Sequence, residues 1–250
     1  MNREYTKINS KTVDEWVKDG WEWGRPIDHS TFSRAQLGQW DVLLTPTRPV
    51  PHEWFCDLKG AELLGLASGG GQQMPIFTAL GARCTVLDYS KAQLSNEEEV
   101  AKREGYTIKI VEADMTKPLP FPDAAFDLIF HPVSNCYVEK VEPIWRECWR
   151  ILKPGGILLA GFSADIVYAF DDSETRLQNR LPYNPLKDKK LYALAIQNHW
   201  GIQFSHSLEE QIDGQIKAGF RLTGLYQDTT ASGPLHDYNI PVFYATRAVK

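Results

Sequence analysis

Between residues 61 and 162 the chain alternates short apolar runs with stretches of helical spacing, a pattern that predicts a parallel sheet covered by helices. Glu62 to Ala67 reads as a short buried strand, closed by Gly69-Gly70-Gly71, and Gln72 to Leu80 as a helix with Pro75 in its first turn. Cys84 to Asp88 predicts a second strand. Ser90-Lys91-Ala92-Gln93 has the form of a capping box and opens a helix to about Arg103. Thr107 to Glu112 and Phe126 to Phe130 predict strands three and four. After Pro143, the residues Ile144, Cys148 and Leu152 keep one helical face apolar; Lys153-Pro154-Gly155-Gly156 stops that helix, and Ile157 to Gly161 is a fifth strand. Ser207-Leu208-Glu209-Glu210 forms another capping box. Leu208, Ile212 and Ile216 mark one face of the helix it opens, and Gly219 suits the left-handed residue after its end. Phe220 to Tyr226 and Val242 to Thr246 predict strands six and seven, a hairpin-like pair.

Two segments break the rhythm. Residues 1–60 are rich in tryptophan and hold the run Leu43-Leu44-Thr45-Pro46-Thr47-Arg48-Pro49-Val50-Pro51, which cannot continue a helix. Residues 163–206 are polar and irregular. The expected organisation is therefore a helical, aromatic cap at 1–60, followed by a domain at 61–250 with a lid or insertion at about 163–206.

Composition narrows the function classes. The chain has 250 residues, 43% hydrophobic and 24% charged, as a globular protein does. Lys plus Arg number 27 against 32 Asp plus Glu, a net charge of -5. Without a long basic run, such a chain is poorly suited to gripping a phosphate backbone, so no nucleic-acid partner is expected. No apolar stretch approaches the roughly 20 residues that cross a bilayer, and the start reads as lacking a signal peptide. Cys56, Cys84, Cys136 and Cys148 form no close pairs, against a disulfide scaffold or a zinc site. A reduced, cytoplasmic protein with no metal and no membrane partner is the expectation.

A strand, a glycine turn and a helix start form a general nucleotide site, because glycine lets the backbone approach a ligand and the helix start offers free amides. A dinucleotide fingerprint wants Gly-x-Gly-x-x-Gly. Counted from Gly69 its last position falls on Met74, and counted from Gly65 its second falls on Ala67, so nicotinamide fits badly. Asp88 ends the second strand, where a carboxylate can accept from ribose hydroxyls. Glu112-Ala113-Asp114-Met115 follows the third, where a carboxylate can take an adenine amino group.

Leu63 to Gln72, Asp88-Tyr89-Ser90, Glu112 to Met115, Pro120 to Asp127 and Leu152 to Gly156 together resemble the ordered motifs of class I S-adenosylmethionine-dependent methyltransferases, closest to the small-molecule and quinone-biosynthesis branch. The resemblance covers about residues 60–162 and the terminal helix and strands. It implies an α/β, Rossmann-like three-layer sandwich with a seven-stranded, mostly parallel sheet and an antiparallel last strand. It implies S-adenosylmethionine as cofactor and S-adenosylhomocysteine as product. By position, Ala67, Ser68, Gly69, Gly70 and Gly71 would wrap the methionine part, Asp88 would take the ribose, and Tyr89 and Ser90 would lie beside the adenine. Ala113, Asp114 and Met115 would meet its edge, while His131 and Pro132 would lie near the sulfonium. Gly65 stands where many members carry an acid, and Ala67 replaces a glycine. His131-Pro132-Val133-Ser134 departs from the Asn/Asp-Pro-Pro-aromatic signature of enzymes that methylate base amino groups.

Methyl transfer from a sulfonium is an in-line displacement in which the protein mainly aligns the reactants, with a base needed only for a protonated acceptor. His131 is the candidate base or substrate-orienting group, against the reading of a backbone-bonded histidine lining the cofactor. Asn135, Tyr137, His236 and Tyr238 are substrate-pocket candidates, with Trp21 and Trp23 as a cap whose rings could stack on a substrate or sulfonium. Trp16, Trp40, Trp54, Trp145 and Trp149 read as packing. His199 and His206 lack a carboxylate at ligand spacing. The expected function is methyl transfer to a small molecule whose attacking atom is open. A non-catalytic binder of the cofactor or its product, and a methyltransferase for protein or RNA, are the alternatives.

Overall fold

A computed structural model describes residues 4–250. Seven strands form one sheet: β1 (Glu62–Leu66), β2 (Arg83–Asp88), β3 (Lys109–Glu112), β4 (Phe126–His131), β5 (Leu152–Ser163), β6 (Arg221–Asp228) and β7 (Phe243–Val249). Their spatial order is β3-β2-β1-β4-β5-β7-β6. The first five pair in parallel, and β7 runs antiparallel to both β5 and β6. This is the Rossmann-like architecture that the sequence resemblance implies, a mostly parallel sheet with an antiparallel last strand.

The helices are α1 (Tyr5–Lys18), α2 (His29–Gln36), α3 (Gln73–Ala79), α4 (Lys91–Glu104), α5 (Glu142–Ile151), α6 (Lys189–Gln197), α7 (Gly214–Ala218) and α8 (Pro234–Asp237). Successive residues of the central strands point to opposite faces, so each strand feeds two cores. Leu63, Leu128, Phe130 and Leu159 join Met74, Phe77 and Val86 on one face. Leu64, Ile129 and Leu158 join Trp145 and Cys148 on the other. Both faces are thus covered. Val42, Leu44, Val50 and Trp54 pack into the first of these cores.

Three local features depart from the sequence pattern. β5 begins at Leu152 directly after α5, and Lys153-Pro154-Gly155-Gly156 bulges from it: Phe126 pairs with Leu152 but Leu128 pairs with Ile157. At Ser90 the capping box is half formed, since the hydroxyl accepts from the Gln93 amide at 3.2 Å but the Gln93 side chain donates instead to the Trp23 carbonyl. The helix after Ser207 opens with a complete capping box, Glu210 Oε2 accepting from the Ser207 amide at 3.0 Å. It then runs through a π turn at Glu209–Asp213. Its apolar residues Leu208 and Ile216 are exposed, while Gln211, Gly214 and Gln215 are buried. The buried amides have polar partners inside, which explains the inversion: Thr246 Oγ1 donates to Gln215 Oε1 at 3.0 Å, and Asn135 Nδ2 to Gln211 Oε1 at 3.0 Å.

Among the described residues no helix is long and apolar enough to cross a membrane, and no cluster of His, Cys, Asp or Glu has metal-holding geometry. All four cysteines carry free thiols.

Candidate active site

The carboxyl ends of parallel strands are the edge of an open α/β sheet where ligands bind, because the loops there diverge. A cavity of about 360 Å³ opens there. Its walls come from the ends of β1, β2, β4 and β5, the start of β7, and the two segments that interrupt the sequence pattern.

The loop after β1 sets one end. Ala67 has φ 48°, a left-handed backbone that strains a residue with a Cβ. The three glycine amides are all engaged: Gly69 donates to Asp88 Oδ2 at 3.2 Å, Gly70 to the Gln93 carbonyl at 3.0 Å, and Gly71 to Glu97 Oε1 at 2.8 Å. The loop is thus a tight cradle and not a nest of free donors. Gly65 is explained from within, since a Cβ there would lie 2.7 Å from Met74 Sδ, and the buried methionine fills the space an acidic side chain would need.

Asp88 lines the cavity. Its Oδ1 accepts from the Ser90 amide at 2.9 Å and its Oδ2 from Gly69. Burial raises its carboxyl to about 6, against the lowering effect of those amides. Each oxygen keeps a further lone pair, as a ribose diol requires. Two residues of the wall each carry a fully buried polar atom with no protein partner, the Tyr89 hydroxyl and Gln93 Oε1. Gln93 was concealed in the sequence by its apparent role as a capping-box partner.

The N-terminal segment is bonded directly onto this end. Asp14 Oδ1 accepts from Ser90 Oγ at 2.6 Å and from the Ala92 amide at 2.9 Å, which places a carboxylate at the start of α4. Gln72 Nε2 donates to the Glu22 and Arg25 carbonyls, and Asn96 Nδ2 to the Gly24 carbonyl. These bonds bring Trp21 and Trp23 into the cavity wall.

The expected site residues separate into two groups. Ala67, Ser68, Gly69, Asp88, Tyr89, Pro132, Tyr137, Trp21 and Trp23 line the cavity. Gly70, Gly71 and Ser90 stand behind this wall, supporting the loop and Asp88. Ala113 and Asp114 follow β3 at the same edge, half-buried, outside the cavity lining; Asp114 caps the turn there by accepting from the Thr116 amide at 2.8 Å, and Met115 packs into the core.

His131 is fully buried and does not line the cavity. Its Nδ1 meets the Leu66 carbonyl at 2.8 Å and its Nε2 the Asn135 side-chain amide at 2.8 Å. Burial holds its imidazole below the usual histidine range. Asn135 passes the network on to Gln211, away from the cavity. His236 on α8 and Tyr238 just after it are exposed, with His236 Nδ1 at 2.7 Å from the Thr230 carbonyl. The structure does not bring those two to the cavity. His206 is buried too, its Nε2 directed at the Val138 and Asn135 carbonyls.

The far end of the cavity is built from the N-terminal segment and from 163–206, by residues that no sequence motif singles out. Leu43 to Pro46 form part of it, laid across β5 so closely that a Cβ on Gly161 would meet the Leu44 carbonyl oxygen at 2.0 Å. Val167, Tyr168 and Gln203 of the 163–206 segment and Phe243 of β7 complete it, and Tyr168 donates to Gln203 Oε1 at 3.0 Å. A glycine inside an apolar strand was the available signal for this close approach.

Residues 64–160 match the family described as a methyltransferase domain. Over 249 residues the chain is 42% identical to an uncharacterized methyltransferase, YbaJ, of Bacillus subtilis (strain 168), with 97% of each chain covered. A stretch of 121 residues is 31% identical to a sterol 24-C-methyltransferase, ERG6B, of Gibberella zeae, covering 47% of this chain but only 32% of that one. An S-adenosylmethionine-dependent methyltransferase from Mesorhizobium loti shares the fold, with a TM-score of 0.63 at 19% identity over 79% of this chain and 94% of that one.

Proposed function

This chain belongs to the class I S-adenosylmethionine-dependent methyltransferases, and from that premise we propose that it methylates a small molecule held between the strand ends, an N-terminal cap (residues 1–60) and a lid (163–206). The observation that carries this reading is the continuity of one cavity from Asp88 and the glycine loop to the aromatic walls of Trp21, Trp23, Tyr137 and Tyr168. A mostly apolar cavity of this kind suits a small acceptor better than a nucleic acid, and the net charge of -5 points the same way.

In this reading the Ala67-to-Gly71 loop cradles the methionine part of the cofactor, and Asp88 accepts from the ribose hydroxyls. Tyr89, with Ala113, Asp114 and Met115 beyond it, faces the adenine side. Bound there, S-adenosylmethionine supplies an activated methyl group on a positively charged sulfur. The chain's own work is alignment and exclusion of water. His131 acts as a positioning residue in this scheme: bonded to Leu66 and Asn135, it ties the start of the glycine loop to the 131–137 segment that carries Pro132 and Tyr137 into the wall.

The test is formation of S-adenosylhomocysteine from S-adenosylmethionine across panels of phenols, amines, thiols, thioethers, carboxylates and alkenes. Turnover with an acceptor from any of these panels supports the proposal. Retained cofactor binding with no turnover from any of them would leave a binding protein instead.

A further inference from the structure

The cavity passes over the ends of β2, β1, β4, β5 and β7, five adjacent strands in the sheet. At about 4.8 Å between neighbours this is a span of about 19 Å. The half above β2 and β1 holds Asp88, the glycine loop, Tyr89 and Gln93. The half above β4, β5 and β7 is of a different character. Leu44, Pro46, Val133, Val167 and Phe243 supply apolar surface. Three of its hydroxyls are already committed: Ser134 to the Pro132 carbonyl at 3.0 Å, Tyr168 to Gln203, and Thr45 to the Tyr226 hydroxyl at 3.4 Å.

Among the described residues lining the whole cavity, Asp88 is the one carboxylate, and there is no lysine, arginine or histidine. An anionic acceptor would therefore have no cationic side chain to hold it, and a cationic one would meet the sulfonium without a carboxylate of its own, each at a desolvation cost the protein does not offset. An acceptor that must first lose a proton lacks a base. Burial pushes the Cys136 thiol up to about 12 and holds the Tyr137 and Tyr168 hydroxyls well above their ordinary range. His131 and His206 are bonded away from the cavity.

We propose that the acceptor is an uncharged, lipophilic molecule whose attacking atom needs no proton removed before transfer: a thioether, a weakly basic nitrogen or an electron-rich alkene. This rests on the methyl-transfer reading above. The acceptor's lone pair or π pair forms the new bond to the methyl carbon while the S–CH3 bonding pair returns to sulfur. No proton moves in that step. The positive charge passes from sulfur to the methylated acceptor, so the cavity holds one positive charge before and after. Trp21, Trp23, Tyr137 and Tyr168 in the wall are aromatic, the type of side chain that favours a cation, and an acceptor half without charged side chains suits both ends of the reaction.

The experiment uses three probes of matched shape and different charge, p-cymene (neutral), p-cumate (anionic) and cuminylamine (cationic), titrated by calorimetry into the protein saturated with S-adenosylhomocysteine. The neutral probe is expected to bind roughly ten-fold or more tightly than either charged one. Val167→Lys is expected to reverse the order in favour of p-cumate while leaving affinity for S-adenosylhomocysteine unchanged. Equal or tighter binding of a charged probe to the unmodified protein, or no binding of the neutral one, overturns the proposal. Affinity for S-adenosylhomocysteine is measured first. Its absence would refute the methyl-transfer reading itself, whereas its presence with the wrong probe order refutes the acceptor class alone.

Discussion

Replacing Glu97 by glutamine removes a carboxyl group that sits on α4 with no exposed surface and supports the glycine loop from behind. Its Oε1 accepts from the Gly71 amide at 2.8 Å, while its Oε2 has no partner. Burial is the largest cause of a carboxyl pKa raised from 4.5 to about 8, with the nearby Asp88 carboxylate adding to it and the Gly71 amide opposing it. The folded chain therefore holds a proton here that the unfolded chain has lost between about pH 4.5 and pH 8. In that window stability falls as pH rises, by at most about 1.4 kcal/mol per pH unit and about 5 kcal/mol in total. Below it both states are protonated, and above it both are ionised. Glutamine keeps the acceptor for Gly71 and cannot ionise. Urea unfolding of both proteins at a series of pH values isolates this contribution, because Asp88 and the other carboxyls are common to both. The original chain is expected to lose stability relative to Glu97→Gln steadily from pH 5 to pH 8. Parallel curves would refute the assignment of a buried, protonated Glu97.

Two backbone substitutions test the cavity walls. Gly161→Ala places a methyl group against the Leu44 carbonyl and should cost about 1–3 kcal/mol in urea unfolding, with Leu43 to Pro46 displaced from the cavity; an unchanged midpoint would show that this segment does not lie across β5. Ala67→Gly relieves a left-handed alanine and should raise stability by up to about 1 kcal/mol, seen as a higher melting temperature. A lower melting temperature would contradict the turn geometry at residue 67.

The central strands were legible in the sequence because each is buried on both faces and bounded by glycine, proline or a cap. β1, β2 and β4 lie within a residue or two of the expected spans. Asp88 and the glycine loop were legible because a strand followed by a tight turn fixes where their side chains and amides must be. What escaped was decided by contacts between distant segments. The stripe of Leu208, Ile212 and Ile216 suggested a core-facing helix, but buried partners for Gln211 and Gln215 turned the polar side inward. His131 allowed two readings, a base or a backbone-bonded histidine, and the choice between them turns on the Leu66 carbonyl and the Asn135 amide, which take both of its ring nitrogens. Tyr168, Gln203 and Phe243 carry no local signature, and only the return of residues 163–206 and of β7 over the strand ends places them together.

That the crevice above β1 and β2 receives an adenosyl sulfonium through Asp88 is the claim on which the rest depends. Isothermal calorimetry with S-adenosylhomocysteine, on the original chain and on Asp88→Ala, measures it directly. The account predicts saturable binding to the original chain, and binding weaker by about 1.5–3 kcal/mol in the variant through loss of charge-assisted hydrogen bonds. Absence of binding to the folded original chain, or equal affinity in the two proteins, would contradict it.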